Sequence, residues 1–380
     1  MALISLLVFL LWLAVGFDFI YGVTFTIPIL RKKLKPSSSA NFPKVSIIFS
    51  ARNESRTVKA ALQSMLAQDY PDFEVIAIND RSTDDTWTVM QSCGSDARLK
   101  LLNIQDLPPG WLGKNHALQQ GAALASGSWL IFTDADVQFD PQTLKSITAF
   151  AEQGKWDSIA LLPRMVRSGF LETIYTVCFG LGFFIYFRPW KAPDPRKKNH
   201  IGVGAFNMTR QNAYQKIGGH AAFALNVLDD MELARRIKEA GFRQTAVFGR
   251  EFLSVQWVEG WNGILKSLEK NGFAGMDYRP GFLFIWTLLT ALLNTLPFLL
   301  AVFAKGDTQL FAFAALASLF LIYFAIQRFH PGTLWVFLFH APGCLLVAGV
   351  LWRSAILTLL QGGIRWRETF YGLDDLRKRK

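Results

Sequence analysis

Two blocks of apolar sequence, each long enough to enter a bilayer, bracket a stretch of ordinary soluble composition, so any fold for this chain has to satisfy two solvents. Residues 2–30 are apolar apart from Asp18 and a few small polar side chains. A hydrocarbon core of about 30 Å takes about 20 residues of helix to cross, so residues 1–30 read as an N-terminal transmembrane helix. A cleavable signal peptide competes with that reading. Against it, the run exceeds an h-region, its basic residues follow it, and no small-residue cleavage site stands out before Lys35. Beyond Pro280 the chain turns apolar again, with candidate spans at 282–304, 310–327 and 334–351, the first two parted by Lys305-Gly306-Asp307. Residues 353–360, basic at their start and followed by Gly362-Gly363, read as a separate interfacial helix. The expectation is thus transmembrane or re-entrant helices over 282–360 and a basic tail over 361–380.

The charges say which polymer the chain meets. A formal net charge of +11 suits nucleic acid as well as a membrane, so placement decides. Arg31, Lys32, Lys33 and Lys35 follow the first apolar block, and Arg377, Lys378, Arg379 and Lys380 close the chain. Such clusters meet anionic headgroups and set topology, which favours a membrane partner and no nucleic acid. By the positive-inside rule the first cluster places the domain after it in the cytoplasm. Three further crossings would put the basic tail outside, so one C-terminal segment is expected to be re-entrant, with Pro342-Gly343 as the break. The three cysteines, Cys93, Cys178 and Cys344, are odd in number and widely spaced, which suggests neither a disulfide framework nor a zinc site.

Residues 31–42 read as a basic linker and residues 43–281 as an α/β domain. Apolar β-rich runs at 45–49, 74–78 and 129–132 alternate with helical patterns at 56–67, 86–92 and 115–125. That alternation predicts a Rossmann-like, mostly parallel sheet whose ligands bind at the carboxyl ends of its strands. Polar residues stand at those ends. The first run leads into Ala51-Arg52-Asn53-Glu54, the second into Asn79-Asp80, and the third into Thr133-Asp134-Ala135-Asp136. An acid just past a strand suits ribose hydroxyls or a base imide, although an Asp-capped turn gives the same pattern. In extended backbone Asp134 and Asp136 point to one side, so one is free to meet a hard divalent cation while the other meets a sugar. Farther on, Asp229-Asp230 opens a helix that closes at Gly241. Acids there suit the helix dipole, and Asp230 also suits the role of a general base.

These motifs, in this order, together with Ser82-Thr83-Asp84, Leu233 and Arg236, resemble family 2 glycosyltransferases of the GT-A fold over residues 43 to 280. Gly110-Trp111-Leu112-Gly113-Lys114-Asn115-His116-Ala117, Gly218-Gly219-His220, Glu259-Gly260-Trp261, and Ile364-Arg365-Trp366-Arg367 with Tyr371 are most similar to a membrane-bound subgroup. That subgroup comprises the 4,4′-diaponeurosporenoate and hopanoid-associated glycosyltransferases of carotenoid and hopanoid pathways. The resemblance implies a nucleotide-sugar donor, a lipid-like acceptor and a divalent cation, Mn²⁺ or Mg²⁺. It implies donor binding by Ala51, Arg52, Asn53, Glu54, Asp80, Lys114 and Asp134, a metal on Asp136, and catalysis by Asp230 with Asp229. The Gln-x-x-Arg-Trp sequence of processive members is absent, which points to single transfers, and one base without a second nucleophile points to inversion. The acceptor remains open among isoprenoid, polyprenyl-phosphate, diacylglycerol and ceramide-like lipids, and a membrane scaffold or transporter is the rival outside the enzyme class. Finally, the apolar segment 170–187 lies between Asp136 and Asp230, which must meet one sugar. It is therefore expected to lie in the interface, with Phe183 and Tyr186 in a greasy platform for the acceptor. His220, after Gly218-Gly219, is a separate candidate for lining the acceptor cleft, with a structural loop histidine as the alternative.

Overall fold

The computed structural model describes residues 1–32, 42–166 and 169–377. Lys33 and Lys35, most of the expected linker, and Lys378, Arg379 and Lys380 lie outside the described residues. The chain forms two compact units, Ile27–Val166 with Pro189–Gln256, and Met1–Thr26 with Arg167–Arg188 and Trp257–Lys380.

The first unit is built on a seven-stranded sheet: β1 (Val45–Ala51), β2 (Phe73–Asp80), β3 (Leu99–Ile104), β4 (Trp129–Asp134), β5 (Ser158–Leu162), β6 (Asn207–Arg210) and β7 (Gln244–Phe248). Their spatial order is β3-β2-β1-β4-β6-β5-β7. β1 pairs in parallel with β2 on one side and β4 on the other, placing Ser50 opposite Asp134. The chain therefore winds outward from β1 and returns to its other flank, which makes the β1/β4 boundary the switch point where such sheets bind ligands. Ile47, Ile48, Val75, Ile76, Leu130 and Ile131 are fully buried, as expected of parallel strands covered on both faces. β6 runs antiparallel between β4 and β5, so the sheet is mixed on that side.

The helix of the N-terminal apolar run stops short of residue 30. Helix covers Ala2–Tyr21 and continues as a π-turn over Gly22–Thr26. Pro28 lacks the amide a helix needs and holds the preceding residue extended, so the last four residues leave the helix. Leu30 donates its N–H to the Phe248 carbonyl and Phe248 donates to that of Pro28, joining them to the end of β7.

Among the described residues, five helical segments are long and apolar enough to cross a membrane: Ala2–Thr26, Phe170–Lys191, Pro280–Phe303, Asp307–Ile326 and Leu334–Gln361. The Lys305-Gly306-Asp307 break is present, with Gly306 at φ +60° before the Asp307–Ile326 helix. The last segment departs from expectation. A 3-10 turn, Leu334–Phe339, passes into one α-helix, His340–Gln361, with no separate interfacial piece at 353–360. Pro342 does not break it, because a first-turn residue has no intrahelical acceptor for its missing N–H. Residues 363–372 form a hairpin, Gly363–Trp366 against Thr369–Gly372, where a plain basic tail was expected. The Phe170–Phe187 helix groups with these helices and not with the sheet, although β5 before it and β6 after it are hydrogen-bonded neighbours.

Candidate active site

The acidic motifs meet at the carboxyl ends of β1, β2 and β4. On the β1/β2 side the loops are laced together. Asn53, held at φ +57°, donates its N–H to Ser82 Oγ at 3.1 Å and accepts from the Thr83 N–H at 2.8 Å. The Glu54 N–H donates to Thr86 Oγ1 and the Ser55 N–H to Asp84 Oδ2, at 2.8 and 3.2 Å. Burial pushes the Asp84 carboxyl up, but hydrogen bonds from Thr86 and Ser55 outweigh it and hold its pKa at about 2. Asp80 ends β2, buried, with its carboxylate gripped by Arg81 Nε at 2.7 Å and Nη2 at 3.1 Å. Arg81 was not anticipated as its partner.

On the β4 side the organising group is Lys114, near the start of the Gly113–Leu124 helix. Its ammonium lies 2.9 Å from Asp134 Oδ1 and 3.1 Å from Asp229 Oδ2. Two loops are tied together to bring this about. Asn115 Nδ2 donates to the carbonyls of Phe223, Ala224 and Asn226, and the Leu112 N–H donates to Ala224 at 2.8 Å. The start of that helix is thereby joined to the segment that launches the Asp229–Glu239 helix. Burial pushes the Lys114 pKa down, and the carboxylates of Asp134, Asp229 and Asp230 outweigh this and raise it, so the group is a fixed cation.

The neighbouring acids respond in the opposite sense. Burial, followed by the charge of Asp229, pushes Asp230 up to about 6 against the pull of Lys114. Burial, followed by Asp134 and Glu54, pushes Asp136 up to about 7. Asp136 follows β4 in a turn and not in extended backbone, so strand alternation does not set its direction. It nonetheless shares one field with Asp134 and Glu54.

Residues 46–218 match the family described as Glycosyl transferase family 2. That segment, a little under half of the chain, is a family 2 glycosyltransferase domain. The 4,4'-diaponeurosporenoate glycosyltransferases of Staphylococcus aureus strains bovine RF122 / ET3-1 and USA300 are each 26% identical to the chain over 253 residues. Those matches cover 65% of this chain and 62% of the relatives, so they span less than two thirds of the relatives' length. The mannosyltransferase PcManGT of Pyrobaculum calidifontis, solved with GDP-Man and Mn2+, superposes with a TM-score of 0.54 at 17% identity, covering 95% of this chain and 99% of that one. That likeness is one of fold, and the fold is GT-A: a mostly parallel α/β sheet, here joined to apolar helices at both ends of the chain.

A small cavity in the sheet-bearing unit is lined by Lys114, Thr133, Asn207, His220, Asp229 and Asp230. Asn207 was missed, as were Gly202 and Gly204 just before it. A side chain on Gly204 would place its Cβ 2.7 Å from Asp134 Oδ2, and one on Gly202 would strike the Asp230 carbonyl. The Gly-x-Gly spacing was the available signal. His220 is almost wholly buried, with Nδ1 2.9 Å from the Tyr214 hydroxyl and its ring 4.8 Å from that of Phe132. Burial, assisted by the Lys114 charge, lowers its pKa to about 3, so it forms a neutral wall.

Phe183 and Tyr186 belong to the other unit. Tyr186 is exposed, and Phe183 continues an aromatic row: Phe179 lies 6.2 Å from Phe183, and the Trp257 ring lies 4.7 Å from Phe179 and 5.6 Å from Tyr175. Trp257 was not anticipated.

Proposed function

We propose that the chain is an inverting, non-processive glycosyltransferase that moves a sugar from a nucleotide-sugar donor, a UDP-sugar in the first instance, to a lipid or isoprenoid-type acceptor at the cytoplasmic membrane face. The observation that carries this reading is the meeting of Asp134, Asp229 and Asp230 around Lys114 at the switch point of a family 2 domain. The names of the curated relatives support the lipid-like acceptor.

In this reading the laced Ala51-Arg52-Asn53-Glu54 loop and Asp80 seat the nucleoside, and Asp134 and Lys114 orient the sugar and diphosphate. Asp136 holds a divalent cation, with Asp134 and Glu54 beside it. The donor set fits, because three carboxylates offer only oxygen, which Mg²⁺ and Mn²⁺ prefer, and their crowded charge favours a dication. When bound, such an ion neutralises charge that grows on the departing diphosphate. Asp230 takes the proton of the acceptor hydroxyl. The freed oxygen bonds to the anomeric carbon as the bond to the nucleoside diphosphate breaks, which inverts that carbon. A carboxylate with a pKa near 6 is basic enough to accept the proton and still ionised at neutral pH.

The adjacency of β5 and β6 supports an interfacial placement of the Phe170–Phe187 helix. A straight crossing by that helix would put neighbouring strands of one sheet on opposite sides of a bilayer. Its aromatic row then offers a greasy approach for the acceptor.

The deciding experiment incubates membranes bearing the protein with radiolabelled nucleotide sugars, with and without Mn²⁺, and follows label into organic extract. Cation-dependent label from one donor is expected there. Label confined to the aqueous phase with every donor would overturn the lipid acceptor, and unchanged transfer after chelation would overturn the cation.

A further inference from the structure

The helical unit holds a second cluster with a different chemistry. Among the described residues, Cys178, His340 and Cys344 bring their ligand atoms within 4.8 Å of one another, with Cys178 and His340 buried. His340 and Cys344 stand four apart on the His340–Gln361 helix and so share a face, and Cys178 reaches them from the Phe170–Phe187 helix. The two helices approach so closely that a Cβ on Gly343 would lie 2.5 Å from Cys178 Sγ. Ionisable groups sunk among membrane helices are costly, and this cluster has no place in the sugar chemistry.

The tautomer of His340 is set by its neighbours. Asn294 Nδ2 donates to the Thr290 carbonyl at 2.6 Å, which turns its Oδ1 to His340 Nε2 at 2.7 Å. An amide oxygen only accepts, so Nε2 carries the ring proton and Nδ1 keeps a lone pair. That lone pair receives the Tyr323 hydroxyl at 2.9 Å, Cys344 Sγ lies 3.8 Å from each of the two ring nitrogens, and the same hydroxyl lies 3.7 Å from Cys178 Sγ. An imidazole whose far nitrogen is fixed by a hydrogen bond to an oxygen is the arrangement seen behind metal-bound histidines.

We propose that Cys178, His340 Nδ1 and Cys344 bind one zinc ion, with the Tyr323 hydroxyl in the fourth position; its hydrogen bond to Nδ1 breaks as the ion enters, so that Nδ1 and the phenol oxygen both turn a lone pair to the metal. Bond lengths of about 2.3 Å to sulfur and about 2.0–2.1 Å to nitrogen put the ligands of one tetrahedral ion about 3.5–3.8 Å apart. The cluster needs to contract by about 1.3 Å at most to reach this. Binding releases two protons, one from each thiol, and both sulfurs bond the ion as thiolates. Two thiolates, a neutral imidazole and a neutral phenol then cancel a dication, which a low-dielectric surrounding favours over the net negative charge left by a monovalent ion. Mg²⁺ and Mn²⁺ prefer oxygen and belong to the other unit. The ion pins the Phe170–Phe187 helix to the His340–Gln361 helix.

The test uses the full-length protein in detergent micelles, dialysed against zinc and then passed through gel filtration, with metal counted by mass spectrometry. One zinc per chain is expected, and cobalt in its place is expected to give a thiolate-to-cobalt charge-transfer band in the near ultraviolet. Both should vanish in the Cys178→Ser/Cys344→Ser double variant and persist in Cys93→Ser and in Asp136→Asn. Because the double variant removes buried groups, Asn294→Leu serves as a second probe that keeps every ligand. It should weaken zinc, measured by chelator competition, about 10–100-fold. Failure of the wild type to retain zinc, a cobalt spectrum without the thiolate band, full zinc retention in the double variant, or thiols that titrate only after reduction would each overturn the site.

Discussion

The two flanks of the candidate active site are held by different forces. On the β1/β2 side, backbone amides reach across to side-chain oxygens, as in Asn53 with Ser82 and Thr83 and Glu54 with Thr86. On the β4 side one buried ammonium, Lys114, holds three carboxylates that would otherwise repel one another. A hydrogen-bonded lace keeps its shape across pH, and Asp84, at about 2, stays ionised throughout the working range. A charge cluster does not, because Asp230 at about 6 and Asp136 at about 7 titrate where enzymes work. A rigid seat suits a nucleoside of constant shape, whereas groups that change protonation suit a step that moves a proton.

The largest expected effect separates these roles. Asp230→Asn keeps size and polarity but cannot accept the acceptor proton, so transfer should fall by about 10²–10⁴-fold, the usual worth of a general base. Donor affinity, read by calorimetry, should stay near that of the wild type. Turnover within a few-fold of the wild type would remove Asp230 from the role. Lys114→Met comes next, since it removes the ammonium that offsets the charges of Asp134, Asp229 and Asp230. Its pH profile is the sharper measure. Lys114 lowers the Asp230 pKa, so its loss should move the acid limb of activity to higher pH, and an unmoved limb would contradict the electrostatic coupling.

The wild-type profile follows from the same group. A base with a raised pKa is protonated, and idle, at lower pH than that value and ionised above it. The kcat/KM is therefore expected to fall about tenfold per pH unit once pH drops below about 6. Proton competition at Asp136 should also raise the Mn²⁺ concentration needed for half-maximal activity as pH falls through about 7. A flat response in both measurements would mean that the β4 side behaves like the laced side.

How far the sequence reveals these features depends on how local their causes are. β1, β2 and β4 were legible because parallel strands buried on both faces are continuous apolar runs, and the acids follow directly after them. β5, β6 and β7 were not read, since Ser158–Leu162, Asn207–Arg210 and Gln244–Phe248 owe their pairing to a neighbour far along the chain. Asp80, Asp134, Asp229 and Asp230 were placed by motif, but Arg81 and Asn207 enter the site through contacts that no spacing announces, and the Gly202/Gly204 pair offered only its Gly-x-Gly spacing. The cysteines show the same limit. Spacing counted along the chain suggested no metal site, yet His340 and Cys344, four apart on one helix, already marked one face of the cluster that Cys178 completes.

The smallest effect tests the laced side. Asn53 adopts φ +57°, a conformation asparagine tolerates better than most residues, and its side chain accepts the Thr83 N–H. In Asn53→Ala the conformational cost and the lost hydrogen bond each amount to about 1 kcal/mol, so the loop should loosen without the fold failing. If this side only seats the nucleoside, KM for the donor rises by about ten-fold, the equivalent of about 1.4 kcal/mol, while kcat and the acid limb near pH 6 stay where they were. Asn53→Gly removes the same hydrogen bond but accepts positive φ freely, so it should recover the conformational part of the loss and no more. A drop in kcat with unchanged KM would show that the lace acts on the transition state, and the division between a rigid seat and a titrating jaw would not hold.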